Sequence, residues 1–202
     1  MIEINTYLKL RKVLQEFKKG TFDFLIIIGS AGLGKTYNTR KILGKKICYI
    51  NSSATSLGLY LSGFENRDMP MWFDDVESLF EKDKMIGLLK QFCETTEIKN
   101  IQYNTSWDME ESKNVPKSYE TKSKVLMTSN SLTRLQNKGV QSLLDRAIII
   151  NFKPSKQEIT TYINKNFKKI YDKSILDSLQ IDENFSLRDY IKKVQLKKAG
   201  LI

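Results

Sequence analysis

Residues 24–36 read Phe-Leu-Ile-Ile-Ile-Gly-Ser-Ala-Gly-Leu-Gly-Lys-Thr, and few stretches of this length restrict a chain so tightly. Five apolar residues run straight into Gly29-x-x-x-x-Gly34-Lys35-Thr36. An unbroken apolar strand is expected where helices cover both faces of a sheet. The glycine spacing is that of a phosphate-binding loop between a strand and a helix. Glycine lets the backbone curl so that successive N–H groups face one anion. Gly29, Ser30, Ala31, Gly32, Leu33 and Gly34 are the candidate cradle. Lys35 is placed for the β- and γ-phosphates and the Thr36 hydroxyl for Mg²⁺. Tyr37 follows in the first helical turn and completes the candidate nucleotide-binding set. That helix points its positive dipole end at the same phosphates. The competing reading is a glycine-rich turn that binds nothing.

The second constraint is Pro70-Met71-Trp72-Phe73-Asp74-Asp75, a short apolar strand that ends on two adjacent acids. In open α/β sheets the C-terminal strand edge is where ligands bind. Adjacent carboxylates repel, and a nearby cation relieves that repulsion. Asp74 is therefore assigned to the Mg²⁺ shell with Thr36, and Asp75 to orienting or polarising the attacking water. The bland alternative is an acidic cap for a helix over 77–94, with Asp75 or Glu77 near its start.

Apolar periodicity predicts further elements. Helices are expected over 5–19, 35–43, about 54–62 and 77–94, and strands at 46–51, 124–130 and 147–152. The strand from Lys124 leaves Thr128, Ser129 and Asn130 at the ligand edge. Residues 97–104 alternate polar and apolar, which predicts an exposed strand or hairpin arm, and a long polar loop follows to about 121. Beyond Pro154 the chain turns helical and basic, with Ser155 and Glu158 forming a capping box and Ser186 capping the last helix at 187–198. The expected division is an α/β core over 1–153, with an insertion at about 97–123, and a small helical lid over 154–202.

Charge adds a question rather than an answer. The chain has 202 residues and a formal net charge of +10, so nucleic acid, an anionic surface or a merely solvated exterior all fit. No run approaches the roughly 20 apolar residues of a membrane span and no secretory signal is visible. Cys48 and Cys93 lie far apart among apolar neighbours and the chain contains no histidine, so they read as reduced core thiols of a cytoplasmic protein.

These stretches, in this order, resemble the AAA+ ATPase family. Residues 29–36 match Walker A and residues 71–75 match Walker B. Asn130 resembles sensor 1, Leu144-Asp145-Arg146 the arginine-finger position, Ser186-Leu187-Arg188-Asp189 sensor 2, and Asn51 the polar switch residue. The resemblance implies an α/β P-loop NTPase with a parallel five-stranded sheet between helices and a C-terminal helical lid. It implies an Mg²⁺-dependent ATPase in which Asn130 positions the water or γ-phosphate and Arg188 touches the γ-phosphate from the same subunit. Arg146 would reach the ATP of a neighbouring subunit, which requires a homo-oligomer, ring or helical and hexamer-like. One departure stands out: the family has Asp-Glu where this chain has Asp74-Asp75. The shorter acid points to modest turnover, with Glu77 as a possible helper.

The leading expectation for the substrate is DNA, in replication, helicase loading or transposition, with a helicase, initiator or other protein as a further partner. The contact is expected on the arm at 97–124, where Lys99, Tyr103, Trp107, Lys113, Lys117, Lys122 and Lys124 mix cations with aromatics. Two alternatives stay open. One is an ATP-gated assembly module that hydrolyses slowly. The other is a protein-remodelling ATPase, for which Gly58-Leu59-Tyr60 and Ser62-Gly63-Phe64 loosely match a pore loop.

Overall fold

The computed structural model describes all residues except 52, 76–78, 81–82, 106–108, 110–113, 132–137, 180–181 and 183–184. Its centre is β2 (Phe24–Ile28), buried at every position. β2 lies between β7 (Val125–Ser129) and β8 (Ile148–Phe152), parallel to both. β4 (Met71–Asp74) pairs with the far side of β7, and β3 (Cys48–Ile50) forms the edge beyond it. β1 (Ile2–Ile4) pairs with the outer side of β8. The order β1-β8-β2-β7-β4-β3 is parallel throughout. The expected five-stranded sheet is therefore six-stranded. The additional strand is only three residues long, two of them exposed, so it carries almost no hydrophobic pattern of its own.

Strand alternation divides the core in two. Leu25, Ile27, Trp72, Leu126, Ile150 and Phe152 face one side, under α1 (Tyr7–Lys19), α2 (Lys35–Leu43) and the helices that follow β8. Those helices are α6 (Lys156–Asn166), α7 (Lys173–Leu179) and α8 (Leu187–Lys198). Phe24, Ile26, Met71, Phe73, Val125 and Met127 face the other side, under α3 (Ser56–Glu65), α4 (Asp83–Phe92) and α5 (Lys138–Leu144). A side chain of this kind gains roughly 1.5–3 kcal/mol on full burial, so the central strands hold the two layers together.

The caps follow the sequence closely. Thr6, Thr55, Ser155 and Ser186 each accept a backbone N–H from the first turn of their helix. Ser155 and Glu158 make only half a capping box. Glu158 N–H donates to Ser155, but the Glu158 carboxylate accepts from Tyr7 N at 2.9 Å and so fastens α6 to the start of α1.

The arm at 97–124 differs most from expectation. β5 (Lys99–Gln102) and β6 (Ser118–Thr121) form an antiparallel hairpin whose inner residues pack on α3 and α4 rather than project into solvent. Lys99 shares the inward register with Ile101 and is 2% exposed, its ammonium donating to the Ser123 carbonyl at 2.6 Å. Burial holds its pKa below the usual lysine range. Tyr103 lies 5.3 Å, centroid to centroid, from Tyr60. Lys122 and Lys124 are paired with Glu97 and Asp23. Trp107 and Lys113 lie outside the described residues, so of the seven only Lys117 is left exposed without a described ion-pair partner.

The pore-loop candidates are also interior. Leu59, Tyr60 and Gly63 are buried within α3, and the Tyr60 hydroxyl donates to Pro116 O at 2.7 Å. A Cβ on Gly63 would stand 2.4 Å from Tyr119 Oη and 2.5 Å from Phe92 Cζ. Alanine improves helix propensity by up to about 1 kcal/mol, whereas overpacking costs about 1–3 kcal/mol. Gly63→Ala should therefore lower the melting temperature by several degrees in a circular-dichroism melt. An unchanged or higher value would mean that the hairpin yields freely.

Candidate active site

β2 and the turn after it deliver the loop at the C-terminal edge of the sheet. Gly32 and Gly34 have φ of +80° and +78°, which side-chain-bearing residues rarely adopt. Space is also short, because a Cβ on Gly32 would meet Ser186 Oγ at 2.5 Å and one on Gly34 would meet Leu187 Cδ1 at 2.8 Å. The start of α8 thus rests directly on the loop. Arg188 N donates to Gly32 O at 3.3 Å, and from the opposite side the Tyr7 hydroxyl donates to Leu33 O at 3.1 Å.

Lys35 is buried at the bottom of the loop, where its ammonium donates to Gly29 O, Ser30 O and Asn130 Oδ1 at 2.5, 3.1 and 3.1 Å. These oxygens hold the charge beside the cradle. Asn130 Nδ2 donates in turn to Asp75 Oδ1 at 3.0 Å, so one amide links the lysine to the second acid. Asp75 has φ of +53° and is exposed. Aspartate tolerates the left-handed region better than most residues. There the chain leaves the sheet edge, and the two neighbouring carboxylates end in separate surroundings.

Asp74 is 7% exposed and surrounded by hydroxyls. Thr36 Oγ1 lies 3.2 and 3.1 Å from its two oxygens, and Thr128 Oγ1 donates to Oδ1 at 2.5 Å. Trp72 Nε1 donates to Thr128 Oγ1 at 3.1 Å and fixes the direction of that hydroxyl. A carboxylate and a hydroxyl within 3.2 Å, at the foot of an anion cradle, form an oxygen donor set of the hard kind that suits Mg²⁺. The residues present therefore fit the ion.

The cavity over the loop has a volume of about 530 Å³. Gly32, Gly34, Lys35, Thr36, Tyr37, Asp75, Asn130 and Arg188 line it, all expected from the sequence. Gly29 is buried below, while Ser30 and Ala31 are exposed on the loop and Leu33 is buried against Tyr7 and Leu187. Further lining comes from Leu187, quoted above within the sensor 2 stretch, and from Arg40, Phe167, Ile191, Lys192 and Gln195, none of which was singled out. A signal existed for most of them. Arg188, Ile191, Lys192 and Gln195 are spaced i, i+3, i+4, i+7, one stripe of α8. Arg40 lies one turn beyond Thr36 and Tyr37 on α2.

Two expected residues stand apart. Asn51 Oδ1 accepts from Ser53 N and Oγ, a local turn, while Asp75 is engaged by Asn130. Arg146 is exposed between α5 and β8. Because Ile148 pairs with Leu25 and Asn151 with Ile28, Arg146 lies at the opposite edge of the sheet, roughly 20 Å from its own cradle at about 3.3 Å per residue. Glu77 lies outside the described residues. Cys48 and Cys93 are free and buried, and burial raises both thiol pKa values, that of Cys48 to about 11.

The loop, the parallel sheet and the acid-tipped strand define a P-loop α/β fold. The chain is similar in structure to NtrX from Brucella abortus, solved in complex with ATP, with a TM-score of 0.63 and 13% identity over 95% of this chain and 51% of NtrX. In sequence it is 29% identical over 148 residues to an uncharacterised 36.7 kDa protein of the nrdC-mobD intergenic region of Enterobacteria phage T4. That match covers 65% of this chain and 45% of the phage protein, so the chain spans about half the length of each of these two relatives. No family model matches it. Among the described residues no helix is long and apolar enough to cross a membrane.

Thr128→Val should cost about 1–3 kcal/mol in chemical denaturation, because it leaves Trp72 Nε1 without an acceptor and Asp74 without its shortest donor. Thr128→Ser should recover most of that loss. Equal stability of both variants would show that this hydroxyl is replaceable.

Proposed function

We propose that the chain is a Mg²⁺-dependent AAA+ ATPase that assembles head-to-tail and acts on DNA. One observation carries the nucleotide part: Lys35, Thr36 and the Asn130–Asp75 pair line a single cavity above a glycine loop, with Asp74 buried behind Thr36 and hydrogen-bonded to it. Lys35 and the N-terminus of α2 neutralise phosphate charge, which is most of what phosphoryl transfer asks of a protein. Thr36 and Asp74 hold Mg²⁺, which supplies further charge neutralisation when bound. Asp75, oriented by Asn130, holds and polarises the attacking water. Its side chain is one methylene shorter than the usual glutamate, which fits slow turnover. Arg188 closes over the γ-phosphate from α8 of the same subunit.

Arg146, an edge away from its own cradle, serves only a neighbouring copy in this reading. The DNA part is supported by the +10 charge. The hairpin supports it poorly, because Lys99 is buried and Lys122 and Lys124 are paired. The buried state of Tyr60 and Gly63 counts against a polypeptide-gripping pore loop. An ATP-gated assembly module remains the second reading, favoured by the aspartate at position 75.

The test is ATP hydrolysis by the purified protein, with and without DNA. Lys35→Ala should abolish nucleotide binding, and Arg146→Ala should lower the rate by roughly 10³-fold or more with binding intact. Mixing the two inactive proteins should restore part of the activity, because one copy supplies the site and the other the finger. Full activity of Arg146→Ala alone would overturn the shared site, and binding without hydrolysis under every condition would favour the gated module.

A further inference from the structure

Positive charge is distributed unevenly over the molecule. Residues 1–50 and 153–202 hold 21 Lys and Arg against 9 Asp and Glu, whereas residues 51–152 hold 12 against 14. The first two segments supply α1, α2, α6, α7 and α8, which share one apolar cluster on one face of the sheet. A Lys-rich composition alone would spread its excess over both faces, so the basic layer asks for an explanation of its own.

Within that layer one surface combines cations with exposed aromatic rings. Cys48 and Ile50 point into the other cluster, so strand alternation turns Tyr49 to the basic face. β3 is an edge strand, and Tyr49 remains 43% exposed there. Its ring meets buried Trp72 edge-on at 5.0 Å, and the Arg40 guanidinium sits 5.2 Å from its centroid. One turn away Lys41 Nζ lies 5.8 Å from the Tyr37 ring, also 43% exposed. Lys45 and Lys46 continue the line in the exposed turn between α2 and β3. Among the described residues, none of these four cations forms an ion pair with an acid.

We infer that this α2–β3 surface, with Arg40, Lys41, Lys45, Lys46 and Tyr49, is a binding track for single-stranded DNA. Cations along a line contact successive phosphates, and an exposed ring beside them offers a stacking platform for an unpaired base. A duplex, with its bases already stacked, would leave Tyr49 unused. The inference rests on the DNA-acting reading above and replaces the hairpin as the place of contact.

The experiment measures fluorescence anisotropy of a labelled oligonucleotide, single-stranded and as duplex, over a series of salt concentrations. Variants are Lys45→Glu with Lys46→Glu, and separately Tyr49→Ser. Lys45, Lys46 and Tyr49 do not line the nucleotide cavity, so ATP hydrolysis without DNA should stay unchanged and report correct folding. Wild type should bind the single strand more tightly than the duplex, with a log–log salt slope of about −2.8 for four phosphate contacts. The double lysine variant should weaken binding at least about tenfold and bring the slope to about −1.4. Tyr49→Ser should weaken single-strand binding roughly tenfold with little change in slope.

Wild-type binding that both variants retain would overturn this surface and leave the DNA-acting reading intact. No binding of either DNA form would overturn both. Tighter binding of the duplex would overturn the single-strand assignment. Binding of vesicles containing anionic lipid, lost on reversing Lys45 and Lys46 and unaccompanied by DNA binding, would assign the patch to a membrane surface instead.

Discussion

The site depends on two backbone carbonyls being held from outside the loop that contains them. Leu33 O accepts the Tyr7 hydroxyl and Gly32 O accepts Arg188 N, so elements at the two ends of the chain clamp one turn. Each bond contributes only about 0.5–1.5 kcal/mol net, but together they determine which way the intervening N–H groups face. Tyr7 is itself fixed by stacking on Tyr162 at 3.7 Å, by edge contact with Phe152 and by its N–H to Glu158. Arg11 extends the same connection to Asn38, Tyr162 and Asn166. The helices after β8 thus help to shape the cradle, and loosening them would loosen the loop.

The adjacent acids show how a short turn separates two roles. Asp74 ends β4 and turns inward to Thr36 and Thr128, where hydroxyls surround it. Asp75 takes a left-handed φ and comes out beside Asn130. A regular extended residue there would carry the strand straight on along the sheet edge. The positive φ turns the chain aside and places the second carboxylate next to the residue that also contacts Lys35.

Much of this was legible in the sequence because the controlling interactions are local. An apolar run followed by Gly29, Gly34, Lys35 and Thr36 leaves little freedom, and the acids after Phe73 report the same strand edge. Ser186 as a cap could be read from its own helix. What escaped depends on distant partners. Ile2 to Ile4 becomes a strand only because Ile150 to Phe152 offers an edge. Lys99 looked like a surface cation, yet the register that buries Ile101 buries Lys99 as well, and the Ser123 carbonyl that accepts its charge is 24 residues away. Tyr60 followed a helical pattern that says nothing of which face a hairpin later covers. The cavity stripe on α8 was visible as spacing, but only the fold shows that it faces the P-loop.

The pairing of β1 with β8 also orders events during synthesis. Ile2 is synthesised well before its partner Ile150, which lies 148 residues further along the chain. At about 5–20 residues per second, the first strand waits on the order of 7–30 s before it can dock. Met1 and Ile2 are apolar and remain largely exposed even in the folded protein. β1 therefore stays without its strand partner until β8 has been made, and a nascent chain carries a short unpaired strand throughout the synthesis of the sheet between them.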